Sequence, residues 1–119
     1  MRILVVDDSK AMRMIVKRHV GQAMPDAEFV EAENGAQALD IVRADTPDLV
    51  LCDWNMPEMT GIEVLRQLRA AGNDVKFGFV TSECTPEMQQ AAEAAGSLFF
   101  IVKPFTAERF DEVFAPILG

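Results

Sequence analysis

Four short apolar runs in this chain end in residues whose types could bind a divalent cation or handle a phosphoryl group. Ile3–Val6 leads into Asp7-Asp8, Leu49–Cys52 into Asp53, Val75–Val80 into Thr81-Ser82, and Leu98–Val102 into Lys103-Pro104. A single aspartate after such a run is ordinary turn chemistry, because its side chain can bond nearby backbone. Four such endings together ask for a shared explanation. The carboxylates of Asp7, Asp8 and Asp53, if brought close, would repel one another and raise at least one pKa. A cation with oxygen ligands removes that cost, and Mg²⁺ takes few carboxylates together with water and phosphate oxygens. Lys103 would add positive charge and Thr81 a hydroxyl donor for the same phosphoryl group. Asp53 is then the natural nucleophile, since carboxylates form acyl phosphates in covalent mechanisms. A plain salt bridge to Asp53 is the alternative role for Lys103.

For these residues to meet, the runs must be strands of one sheet. Ile3–Val6 and Leu49–Cys52 are almost continuously apolar, as in parallel strands covered on both faces. Glu28–Glu31, "EFVE", is the most polar run and reads as an edge strand. Helical spacing links Met12, Ile15, Val16, Val20 and Ala23, then Ala38, Leu39 and Val42, then Ile62, Leu65 and Leu68. Met88, Ala91, Ala92 and Ala95 mark a fourth helix, and Phe110, Val113, Phe114 and Ile117 a fifth. The fourth face buries less area than the leucine and phenylalanine stripes of the third and fifth helices, so that helix should be held more loosely. Ser9, Thr85-Pro86 and Thr106 suit helix starts, and Gly72 and Gly96 suit helix ends. Pro116 should stop or kink the last helix just before it. Strict alternation gives one α/β domain over residues 1–119, with a parallel sheet and helices on both faces. Ligands of such sheets bind outside the carboxyl ends of the strands, where the winding reverses. If the strand order is 2-1-3-4-5, the four site-bearing runs are neighbours and their ends converge.

The bulk numbers narrow the function. A formal net charge of -8 makes the surface a poor match for nucleic acid or anionic membrane. After Met1-Arg2 only Ile3–Val6 is apolar before Asp7, too short for a signal-peptide core or a membrane span. Cys52 and Cys84 lack metal or redox spacing, and read as a buried strand residue and a loop thiol. The chain is expected to be cytoplasmic and reduced. No glycine-rich phosphate loop follows the first run, and "DDSKAM" lacks the Ser/Thr/Gly-rich turn of a flavin phosphate site. His19 stands alone in mid-helix and reads as structural or surface.

"VVDDS" at 5–9, "DWNMPEMTG" at 53–61, "VTSE" at 80–83 and "VKPF" at 102–105 occur together, in this order and spacing. On these motifs the chain resembles, from end to end, the receiver domain of bacterial two-component response regulators, and most closely its chemotaxis regulators. The resemblance, rather than the spacing, supplies the fold: a single doubly wound, flavodoxin-like sheet of five parallel strands in the order 2-1-3-4-5, with five helices. It implies that Asp53 accepts a phosphoryl group from a phosphohistidine on a sensor histidine kinase. Asp8 would be a direct Mg²⁺ ligand, Asp7 would act largely through water, and Asp53 and the backbone carbonyl of Asn55 would complete the protein's share. Thr81 and Lys103 would contact the phosphoryl oxygens, with the Lys103-Pro104 bond cis to aim the lysine. Met56, Pro57 and Gly61 would shape the loop after Asp53.

Asn55 and Glu83, two residues past Asp53 and Thr81, would tune hydrolysis of the acyl phosphate and keep it short-lived. Phe100 stands at the switch position that is often Tyr in motor-binding members, which weakens flagellar motor binding as the specific output. The face formed by the fourth helix, fifth strand and fifth helix would change on phosphorylation and meet an unidentified target protein, with Glu83, Phe100 and Phe105 at its exposed end. This is a signalling switch, not a turnover enzyme. A phosphorelay shuttle, or a receiver cut from a longer regulator, remains open. The rival from another class, an Asp-nucleophile phosphohydrolase, wants a second acid where this chain has Asn55. The chain is read as a monomer that binds neither nucleic acid nor membrane directly; dimerisation on phosphorylation through the last helix stays open.

Overall fold

Apolar runs separated by amphipathic segments fold into alternating strands and helices. The structure, a computed structural model, describes residues 1–103, the backbone of 107–118 and the side chains of 108–110 and 112–115. In chain order the elements are β1 (Arg2–Val6), α1 (Lys10–Ala23), β2 (Glu28–Ala32), α2 (Gly35–Ala44), β3 (Leu49–Cys52), α3 (Gly61–Ala70), β4 (Lys76–Thr81), α4 (Pro86–Ala94), β5 (Phe99–Val102) and α5 (Ala107–Leu118). The five strands form one parallel sheet in the order β2-β1-β3-β4-β5, as the resemblance implies. The polar β2 is an edge strand, as its sequence predicts. The four site-bearing strands are adjacent.

Alternate residues of each strand face opposite ways, which sorts the core into two layers. Ile3, Val5, Leu49, Leu51, Val80 and Ile101 pack under α1 and α5, against Val16, Val20, Phe110 and Phe114. Leu4, Val6, Val50, Cys52, Phe77 and Phe79 pack under α2, α3 and α4. Both faces are dry, so β1 and β3 are apolar at successive positions.

The caps follow the sequence closely. The Ser9 hydroxyl accepts from the Met12 N–H at α1, and Thr85 accepts from Met88 at α4, with Pro86 in the first turn. Gly72 and Gly96 take left-handed φ values of 79° and 90° after α3 and α4. Several expectations change. Ile15 is exposed, so the buried stripe of α1 narrows to Val16 and Val20. Val75 and Leu98 precede β4 and β5 rather than starting them. The last helix does not stop before Pro116: α5 runs to Leu118, the proline falling in the last turn, where few bonds remain to be lost beyond it. The Thr106 cap, the cis Lys103-Pro104 bond, Phe105 and the Ile117 side chain lie outside the described residues. Among the described residues no helix is long and apolar enough to cross a membrane.

Candidate functional site

Strand register sets the rim. Val6 lies opposite Cys52, so Asp7 and Asp53 leave the sheet side by side. Their backbones are pinned there, with the Asp7 N–H donating to Ala32 O at 3.1 Å and the Asp53 N–H to Val6 O at 2.9 Å. Thr81 pairs with Val102, so Lys103 emerges one residue beyond it, and the Lys103 N–H donates to Thr81 O at 2.8 Å. Four strands thereby deliver Asp7, Asp8, Asp53, Thr81 and Lys103 to one end of the sheet.

The carboxylates of Asp7, Asp8 and Asp53 come within 4.8 Å of one another; Asp7 and Asp53 are buried and Asp8 is exposed. Lys103 Nζ lies 3.2 Å from Asp7 Oδ2 and 4.0 Å from Asp53 Oδ1. Its closer partner is therefore Asp7, not the Asp53 of the plain salt-bridge alternative. The other Asp7 oxygen accepts from the Ser9 N–H at 2.9 Å. Burial pushes the Asp53 carboxyl above the ordinary carboxylate range; Lys103 opposes the shift, Asp7 adds to it, and the backbone N–H groups of Asn55 and Trp54 favour the charged form. Repulsion between carboxylates, the expected cause, is a lesser contributor than desolvation. Cys52 is fully buried and its thiol is pushed well up by burial and by the charges of Asp53 and Asp7, as suits an inert strand residue. Cys84 is an exposed thiol.

Thr81 is fully buried at the sheet end, where its Oγ1 accepts from the Glu83 N–H at 3.4 Å. Asn55 and Glu83 are exposed at the mouth. The loop from Asp53 to α3 is tightly closed. Gly61 donates to Trp54 O at 2.9 Å, and a Cβ on Gly61 would sit 2.3 Å from the Asp53 backbone oxygen and 2.9 Å from the Phe79 ring. Only glycine fits there. Met56 is buried beneath the loop, and Glu58 takes φ 69°, a left-handed strain the sequence does not announce. An open groove of about 210 Å³ lined by Asp8, Glu33, Asn34, Pro57 and Glu58 gives access from solvent.

Phe100 is half-buried, 5.8 Å from the Phe79 ring and 6.0 Å from Trp54, which is itself 4.9 Å from Phe79. Sequence reading singled out Phe100 but missed Trp54 and Phe79 as its packing partners. Trp54 directly follows Asp53, which was a signal; its meeting with a residue of β5 was not visible. His19 stacks on Phe110 at 6.1 Å, a structural place in line with its reading.

The donor set suits a hard divalent cation. All three candidate side-chain ligands are carboxylate oxygens, two are held in place by backbone pinning, and one faces solvent. Charge favours it too, since among the described residues Lys103 is the one cation ion-paired with these three carboxylates.

Comparison with known proteins matches this geometry to characterised chains. The family model described as "Response regulator receiver domain" matches residues 3–115. The chain is 37% identical over 122 residues to the chemotaxis protein CheY homolog of Campylobacter jejuni, covering 100% of this chain and 93% of that one. It is 37% identical over 107 residues to the response regulator MprA of Mycolicibacterium vanbaalenii, covering 90% of this chain but 46% of that longer protein. Among solved structures, Vibrio cholerae chemotaxis protein CheY4 superposes with a TM-score of 0.86 at 30% identity, over 98% of both chains.

Proposed function

The chain belongs to the response regulator receiver domain family, and from that premise we infer that residues 1–119 act as one receiver whose Asp53 takes a phosphoryl group from a sensor histidine kinase. Receiver domains are signalling modules of two-component systems that bind Mg²⁺ at an acidic pocket and work with histidine kinases and downstream targets. The observation that carries the reading for this chain is the meeting of Asp7, Asp8 and Asp53 at a rim where Lys103 lies within 4.0 Å of the reacting carboxylate.

Asp8 and Asp53, with Asp7 and the Asn55 carbonyl, would hold Mg²⁺. When bound, the ion supplies positive charge that neutralises the acids and the incoming phosphoryl oxygens. The remaining steps rest on the chain. An Asp53 oxygen attacks phosphorus as the bond from phosphorus to the donor imidazole nitrogen breaks, and the imidazole keeps that electron pair. Burial holds the Asp53 carboxyl above its ordinary range, and Lys103 with the backbone N–H groups of Asn55 and Trp54 favours the ionised, attacking form. Lys103 moves from Asp7 toward the transferred group, and the Thr81 hydroxyl donates to one of its oxygens. Drawing Thr81 toward the site vacates space beside Phe79, into which Phe100 closes. That alters the face formed by α4, β5 and α5, which binds the target. Asn55 and Glu83, exposed at the mouth, set how fast water removes the group.

Intact-mass spectrometry after incubation with acetyl phosphate tests this. One phosphoryl mass should appear only with Mg²⁺, vanish in Asp53→Asn and decay well within hours. Absence of the adduct in the parent chain, with beryllofluoride also failing to bind, would overturn the reading.

A further inference from the structure

The chain's charge is unevenly shared among its helices. α1 carries Lys10, Arg13, Lys17 and Arg18 and no acid. The flank formed by α4 and α5 on either side of β5 exposes Glu83, Glu87, Glu93, Glu108 and Glu112. Among the described side chains of that flank the one exposed cation is Arg109, and its guanidinium is matched within the helix by Glu112 at 3.5 Å. Lys103, at the top of β5, is drawn to the carboxylates of the rim. Five exposed acids thus stand on this flank against one exposed cation among its described side chains, a local excess on a surface that is acidic overall.

The same face is apolar at its centre. Leu98 is 48% exposed and Val102 40% exposed, two of the large hydrophobic residues left open to water. Between α4 and β5 runs a groove of about 160 Å³, lined by Ala92, Leu98, Phe99 and Phe100 with Gln89 and Glu93 on its rim. A small groove with Ala92, Leu98, Phe99 and Phe100 in its wall, Glu93 in its lining and Glu87 exposed on the same helix, is the complement of an amphipathic segment that carries an apolar anchor flanked by Lys or Arg. An acidic segment with the same anchor would bring like charges together at Glu87 and Glu93.

We propose that the target of this domain presents a cationic amphipathic helix, whose apolar residue enters the groove between α4 and β5 while its basic residues pair with Glu87, Glu93 and their neighbours. The inference rests on the reading of the α4–β5–α5 face as the output surface, and adds the chemistry of the partner. Each pair is exposed and individually weak, so the charges select the partner mainly by summation and by rejecting acidic competitors. The selection therefore fades as salt screens it.

The test uses the whole ¹⁵N-labelled chain, with and without Mg²⁺ and beryllofluoride, and two synthetic helical peptides. Both peptides share one leucine and phenylalanine stripe; one has a Lys/Arg polar face and the other a Glu/Asp face. The basic peptide should move the amides of residues 87–102 and bind about tenfold tighter than the acidic one, the sum of a few rim pairs. The double variant Glu87→Lys/Glu93→Lys should reverse that preference, and Leu98→Ser should weaken both peptides. Equal affinities, a preference for the acidic peptide, or shifts spread over the surface would overturn the proposal. So would concentration-dependent self-association that Arg18→Glu abolishes, because the basic α1 of a second copy would then be the occupant. Phosphoryl mass on Asp53 is read separately on the same protein. A chain that gains the mass but shows no charge preference overturns this inference alone. A chain that prefers the basic peptide but never gains the mass overturns the switch and leaves the charge selection standing.

Discussion

α3 and α4 lie on the same face of the sheet and flank the same rim, yet they are held in different ways. α3 buries Ile62, Val64, Leu65 and Leu68 against β3 and β4, and its first residue, Gly61, is locked against the backbone of Asp53. α4 buries Ala92 alone. What α4 lacks in apolar contact it receives from its neighbour: the Arg69 guanidinium of α3 donates to the carbonyls of Ala95 and Gly96 at the end of α4, at 3.2 and 3.1 Å, and is itself held by a bond to the Asn73 carbonyl of its own turn at 2.9 Å. α3 is thus a fixed wall for the site. α4 is a helix fastened chiefly at its C-terminal end, with its N-terminus, next to Thr81 and Glu83, held by the Thr85 cap. A switch needs both, because a rim that moved as a whole could not position Asp53, and a rim packed throughout like α3 could not report.

The contrast can be broken by mutation. Leu65→Ala should cost the most, about 2–4 kcal/mol of unfolding free energy in urea, since it opens a cavity under a fully buried side chain. A loss under about 1 kcal/mol would mean that α3 is no better anchored than α4. Arg69→Gln should come next, at about 1–3 kcal/mol, because it removes charge-assisted bonds to several carbonyls. Its sharper signature is local: amide exchange in residues 86–97 should speed up while that of 62–68 stays slow. Equal acceleration in both helices would remove Arg69 as the tether of α4. Thr85→Ala should cost about 1 kcal/mol and act on the N-terminal turn of α4 alone. The smallest effect lies away from both helices and serves as a reference. Glu31 on β2 is held below the ordinary glutamate range by hydrogen bonds from Lys17 and Arg13. A depressed carboxyl stabilises the fold above its unfolded pKa and loses that contribution as pH falls through the folded value. Glu31→Gln should therefore lower stability slightly at neutral pH and leave the mutant and parent alike in acid. A gap that widened as pH fell would contradict the sign.

Legibility followed the same division. The α3 stripe, Ile62, Leu65 and Leu68, was readable because burial on one helix face imposes a period that one sequence window contains. The loose packing of α4 was readable too, from Met88 and three alanines in place of leucines. The Arg69 tether was not, since an arginine at a helix end is usually solvated, and its acceptors lie 26 and 27 residues further on. Asn34 as the cap of α2 was missed although its type fits, because no polar-to-apolar boundary there was sharp enough to single it out.

The sequence by itself determined the alternation of elements, the polar edge strand, the residues that end each strand and the type of chemistry they could share. These follow from local rules: side-chain period, capping geometry and the chemistry of each residue type act within a few positions of one another. Only the tertiary structure decided that Lys103 sits nearer Asp7 than Asp53, that burial more than repulsion raises the Asp53 carboxyl, and that Trp54, Phe79 and Phe100 pack together. Those outcomes depend on distances between strands and on the local dielectric, which arise when separate elements pack together and have no counterpart in neighbouring positions along the chain.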